Sequence, residues 1–158
     1  MRDRSDQLTP AQRRVLDDVD ENGVHVVRVP ASEDWPEHCY SVGLWHSFEQ
    51  PEVVVFGLPS DIANELIEAI ADEAAEGVTF ATNDRHDGLL HAYSVRFEAV
   101  PKAMVADRLP IAAWANQGEE FPVLQIVWPD KQGHWPWDSG VRDGFREMQP
   151  VLGRMEAT

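Results

Sequence analysis

His46 and Glu52 stand in a short connector, Trp45-His46-Ser47-Phe48-Glu49-Gln50-Pro51-Glu52, between two β-rich runs. If those runs pair as a hairpin, the carboxylate comes within reach of the imidazole, which then has the makings of a general base with a pKa near neutrality. The competing reading is a solvated loop histidine. A second group of residues lies in Phe121-Pro122-Val123-Leu124-Gln125-Ile126-Val127-Trp128-Pro129-Asp130 and the following Gly133-His134-Trp135-Pro136-Trp137, which hold half of the six tryptophans. In an extended strand Gln125 shares a face with Val123 and Val127, so its amide is buried and needs partners, either nearby backbone or a planar polar ligand. Asp130, ahead of Lys131-Gln132-Gly133, suits a turn whose side chain bonds its own backbone. Trp128, Trp135 and Trp137 can stack on an aromatic ligand, grip a proline-containing peptide, or pack as core. Tyr40 completes a candidate ligand-binding set of Tyr40, Gln125, Trp128, Asp130, Trp135 and Trp137, provided the hairpin of residues 40–52 faces the tryptophan hairpin.

Other chemistries find less to work with. His25, His38, His86, His91 and His134 show neither His-x-x-x-His spacing nor a Cys/His cluster, so no metal is assigned, and His86-Asp87 with His91 reads as a wet turn. Ser41 and Ser47 lack a Gly-x-Ser-x-Gly elbow, and Cys39 has no adjacent base. Neither a dinucleotide fingerprint nor a P-loop is present. Flavin-binding split barrels need no such motif, and the strand order here is similar to theirs in outline. Arg28, Arg85, Arg96, Lys102 and Arg108 are the bases available to a flavin phosphate.

The elements that must position these groups can be read in turn. Thr9-Pro10-Ala11-Gln12 is a capping box that opens a helix with Val15, Leu16 and Val19 on its apolar stripe, stopped by Asn22-Gly23. Val24 to Val29 reads as a strand closed by Pro30, and residues 31–38 as a loop long enough to cross a pocket mouth. Strands over 40–44 and 53–58 are expected to pair antiparallel. Pro59-Ser60 opens the clearest helix, with Ile62, Ala63, Leu66, Ile67, Ile70 and Ala74 on one face and Asp61, Glu65, Glu68, Asp72, Glu73 and Glu76 largely on the other, ended by Gly77. A short strand over 78–82, a turn over 83–88, an alternating strand over 93–99 and a helical stretch over 103–116 broken at Pro110 follow. The expected fold is one α+β domain spanning 1–158, with a folded core over 9–150 and short flexible termini. Its sheet is mostly antiparallel, curled or closed into a small barrel, with roughly five to seven strands and about three helices.

Thirteen basic residues against 28 acidic ones give a formal net charge of -15, which argues against nucleic acid and anionic lipid as partners. The acids read as a solubilising coat, with a basic partner or a salt-rich habitat as the alternatives. No apolar run approaches the ~20 residues that span a bilayer. The polar N-terminus and single cysteine point to a reducing, cytoplasmic location.

Tyr40-Ser41-Val42-Gly43-Leu44, Pro51-Glu52-Val53-Val54-Val55-Phe56-Gly57-Leu58, Leu124-Gln125-Ile126-Val127-Trp128-Pro129-Asp130 and Trp135-Pro136-Trp137, in that order, resemble the bacterial family called domain of unknown function 4262. The resemblance runs over about residues 15 to 150 and implies a small cytoplasmic bacterial protein without an assigned reaction. Cys39 departs from it, standing where a small or aromatic residue is expected. Two functions remain in view: a domain that binds a small molecule or peptide, and a flavin-dependent redox enzyme of split-barrel type. The oligomeric state stays open, a homodimer included.

Overall fold

Thr9 Oγ1 accepts the Gln12 amide at 3.1 Å while Gln12 Oε1 accepts the Thr9 amide at 3.0 Å. The capping box thus opens helix α1, Pro10–Asn22, as expected, and a left-handed Gly23 closes it. The computed structural model describes residues 8–90 and 93–154. After α1 come β1 (His25–Val29), β2 (His38–Val42), α2 (Leu44–Phe48), β3 (Glu52–Phe56) and α3 (Ser60–Ala75). The chain continues through β4 (Arg85–Leu90), β5 (Tyr93–Ala99), α4 (Lys102–Arg108), α5 (Pro110–Ala115), β6 (Val123–Val127), α6 (Phe145–Met148) and a 3-10 turn at Leu152–Arg154. Of the termini expected to be flexible, residues 1–7 and 155–158 lie outside the described residues, as does His91, whereas Val151 and Leu152 are buried.

The six strands form one open sheet in the order β1-β2-β3-β6-β5-β4. The expected barrel is therefore not formed. Neighbours pair antiparallel except at the centre, where β3 runs parallel to β6 with Val53 opposite Leu124 and Val54 opposite Gln125. A parallel neighbour needs a crossover, here the whole stretch from α3 to α5. Both faces of the sheet are covered. Helix α3 packs Leu66, Ile67 and Ile70 on Val53, Val55, Leu124 and Ile126. On the opposite face α1, α4 and α5 bring Val15, Val19, Val105 and Ala112 against Tyr40, Val42, Val54 and Phe56. Coverage on two sides explains why β3 and β6 are buried at every position rather than alternating.

Six helices are present among the described residues, where about three were expected. The extra ones are short: α2 fills the connector after β2, Pro110 splits the long helical stretch into α4 and α5, and α6 follows the tryptophan loop. Residues 78–82 form no strand, and the turn expected over 83–88 instead runs into β4. Trp135 to Trp137 do not return as a strand; they lie in a loop. No helix of the described residues is long and apolar enough to cross a membrane.

Candidate functional site

Glu52 is wholly buried at the start of β3, and its carboxylate accepts from Ser41 Oγ (2.8 Å), the Gly43 amide (2.9 Å), the Leu44 amide (3.0 Å) and Asn116 Nδ2 (3.2 Å). Burial pushes this carboxyl above its ordinary value, opposed by those hydrogen bonds. His46 is exposed on α2 and is not among the partners. Gly43 is required here: its φ is +115°, and a Cβ would meet Gly23 O at 2.8 Å. Glu52 thus fastens the bend between β2 and α2, and the imidazole is left to solvent.

The six residues of the candidate ligand-binding set fall in three places. Tyr40 is buried beneath α5, where its hydroxyl accepts the Ile111 amide at 3.1 Å; burial pushes its pKa up to about 12. Gln125 and Trp128 hold the C-terminal segment. Gln125 Nε2 donates to Pro150 O at 2.7 Å and its Oε1 accepts the Leu152 amide at 2.8 Å. Trp128 exchanges both backbone hydrogen bonds with the Gln149 side chain and donates its indole N–H to Phe56 O at 2.8 Å. The remaining three residues share one loop. Asp130 Oδ1 accepts the amides of Gln132 (2.9 Å) and His134 (2.8 Å), the expected turn. Trp135 and Trp137 stack with centroids 5.8 Å apart and planes within 8°. Arg154 lies 3.8 Å from the Trp137 centroid, and Arg96 lies 5.1 Å from Trp137. The stack is engaged by the chain's own guanidinium groups.

A different site emerges at the edge of the sheet. Among the described residues β1 pairs with β2 alone, in unbroken register from His25–Val42 to Val29–His38. Val24 and Val26 turn towards the α3 side and Val27 and Val29 towards the other, so the free edge of β1 lies between α1 and α3. A groove of about 610 Å³ runs there. Its floor is Val24, His25, Val26 and Arg28; one wall is Asp18 and Asn22 of α1, the other Asn64, Glu68 and Asp72 of α3. The α3 residues recur every fourth position and form one stripe.

His25 Nδ1 is 2.7 Å from Asp18 Oδ2. An ionised carboxylate only accepts, so Nδ1 carries the proton of this hydrogen bond. Asn64 Nδ2 donates to Glu68 Oε1 at 2.6 Å, orienting that carboxylate. Three carboxylates face one guanidinium, and the lining contains no Ser, Thr, Cys or Lys nucleophile. The arrangement offers hydrogen-bond acceptors and negative charge beside an open strand edge. The far edge, β4, is interrupted by a register shift between His86 and Leu90, an irregularity of the kind that blunts an edge. Of the bases considered for a flavin phosphate, Arg85 and Arg96 are cross-strand neighbours that both lie over the Trp135 ring, whereas Arg28 is in the groove, Lys102 pairs with Glu120 and Arg108 lies over Trp35.

The sequence resemblance is confirmed by the family model for Domain of unknown function (DUF4262), which matches residues 18–142. The chain belongs to this family. No curated protein and no solved structure matches it. Every groove residue falls inside the DUF4262 match, whereas Gln149, Pro150 and Arg154 lie beyond it. Sequence reasoning missed the groove because Asp18 and His25 belong to different elements. The available signal was an acid in the last turn of a helix, one tight turn before a histidine at the head of a strand.

Proposed function

We propose that this DUF4262 protein binds an extended basic peptide, which adds as a further strand on β1. The observation that supports the reading best is the β1 edge, unpaired among the described residues, flooring a groove with acidic walls. In such strand addition main-chain hydrogen bonds supply affinity, each worth roughly 0.5–1.5 kcal/mol net, and flanking side chains select the sequence. Successive peptide side chains point to opposite faces. One set meets Asp18 and His25, the other Glu68 and Asp72, so Lys or Arg on either face finds a carboxylate. A second copy of this acidic chain would set its own Glu68 and Asp72 against the first, which disfavours self-pairing.

Fluorescence anisotropy of a labelled peptide alternating Lys and Val tests the reading. Saturable binding is expected, weakened by salt, lost when Glu replaces Lys, and lost when alternate peptide amides are N-methylated on the side that pairs. Equal binding of a peptide N-methylated at either set of alternate amides would overturn strand addition. A dimer that forms without peptide would assign the edge to a second copy instead. The flavin alternative has only Arg85 and Arg96 beside Trp135 behind it, and titration of FMN or FAD against flavin fluorescence tests it.

A further inference from the structure

We infer that the protein has a second ligand site, for a small carboxylate carried on an apolar body, in the cleft between the tryptophan loop and the C-terminal segment. The cleft encloses about 310 Å³, near the lower end of the ~300–1,000 Å³ common for small-molecule sites. It uses none of the groove's residues. Pro136, Trp137, Pro150 and Val151 give it an apolar surface, and Arg146 and Arg154 supply the charge; no carboxylate lines it among the described residues.

The charge on these arginines is poorly compensated. Arg146 donates from Nε to Pro136 O at 2.7 Å and from Nη2 to Asp138 O at 2.9 Å, both neutral backbone carbonyls. The Asp138 carboxylate is turned to the Trp135 amide at 2.8 Å. Arg154 Nε lies 3.2 Å from Glu98 Oε1, but the other oxygen of Glu98 is 3.6 Å from Arg96 Nη2, so one negative charge serves two guanidiniums. Among the described residues, Arg96 and Arg154 thus share the one Glu98 carboxylate while Arg146 donates to backbone carbonyls, in a chain whose net charge is -15. A guanidinium has five N–H donors in a planar fork, and the contacts above leave several on each arginine for a carboxylate. The cleft is also held in place. Gln125 fixes Pro150 O and the Leu152 amide, Gln149 is bound to the Trp128 backbone, and Arg154 stacks on Trp137. A pre-formed apolar slot with unspent donors at its rim selects an amphipathic anion over its neutral analogue.

Phenylacetate and phenylacetamide, equal in shape and different in charge, are the probes, followed by the shift of the Trp137 indole N–H in ¹H–¹⁵N spectra. Phenylacetate is expected to bind at least about tenfold more tightly, since a charged hydrogen bond is worth roughly 1.5–3 kcal/mol. Arg154→Gln and Arg146→Gln should each erase that preference, while Arg146→Lys, which keeps the charge, should retain part of it. Unchanged spectra of the groove residues would show the two sites to be separate. Equal affinity for acid and amide, an unmoved Trp137 signal, or full discrimination surviving in both Gln variants would overturn the inference. Should the Gln variants unfold, the acid–amide comparison on the unaltered chain decides.

Discussion

Ser41 Oγ donates to Glu52 Oε1 at 2.8 Å and at the same time accepts the Val53 amide at 2.8 Å, joining the end of β2 to the start of β3 through one hydroxyl. Glu52 in turn receives the Gly43 and Leu44 amides, so one carboxylate satisfies the bend that replaces a hairpin turn. In Glu52→Gln the new NH₂ faces N–H donors in place of an acceptor oxygen. The expected cost is about 1–3 kcal/mol, the penalty of a buried donor without a partner. Urea unfolding checks it: the midpoint should fall with the slope unchanged. An unaltered midpoint would show that the bend does not depend on the carboxylate.

His38 supplies a pH dependence. It is buried, its ring centroid 4.6 Å from that of Phe56 and its Nδ1 3.1 Å from Pro36 O. Burial lowers its pKa from the ordinary 6.5, helped by the charge of Arg108 and opposed by backbone hydrogen bonds. The unfolded chain therefore takes up a proton below about 6.5 that the folded chain refuses, and stability falls as pH falls through that window. Stability should be flat on this account above it. His38→Gln removes the titration, so the gap between parent and variant in urea midpoint should narrow from neutral pH towards pH 5. A gap constant over that range would contradict the assignment.

Gln125 and Gln149 should act as a local latch. Gln125→Leu leaves the Leu152 amide and Pro150 O without their partner, and Gln149→Leu does the same to the Trp128 backbone. Each variant is expected to lose about 1–3 kcal/mol. Part of the loss should be confined to residues 145–154, because a segment held by few contacts opens before the sheet does. Hydrogen exchange distinguishes the cases. The Leu152 and Gln149 amides should lose protection before those of β3 and β6; uniform loss across the sheet would mean that the glutamines support the whole core.

Helices α1 and α3, the α4–α5 stretch and the β6 strand were legible because their signals are local. The Thr9–Gln12 box, the α3 stripe from Ile62 to Ala74 and the break at Pro110 each lie within a few turns of chain. The parallel pairing of β3 and β6 was not, since it joins residues some seventy positions apart. Its trace was nonetheless present. Val53-Val54-Val55-Phe56 and Val123-Leu124 are continuous apolar runs, the mark of strands covered on both faces, and a half-exposed barrel strand would have alternated. The tryptophan loop misled for a related reason: its proline-flanked aromatics read like a hairpin, whereas backbone bonds from Asp130, Asp138 and Arg146 fold it as a loop. The polar stripe of Glu68 and Asp72 was seen as an outer face; that the β1 edge lies beside it was a fact of topology.

Charge reversal in the groove separates recognition from stability. In Glu68→Lys/Asp72→Lys the Asn64 bond to Glu68 is lost. Asp72, however, lies in the last turn of α3, where an acid opposes the helix dipole and a cation favours it by roughly 0.3–1 kcal/mol. Folding stability should therefore stay within about 0.5 kcal/mol of the parent, as for most exposed sites. Binding should change far more. Charges flanking a strand edge act mainly on the association rate, so stopped-flow measurements should show the Lys/Val peptide associating at least about tenfold more slowly and its Glu/Val counterpart faster. The salt dependence should change sign between the two peptides. Retention of the parent's preference for the basic peptide in this double variant would mean that α3 is not a wall of the site, whatever the β1 edge contributes.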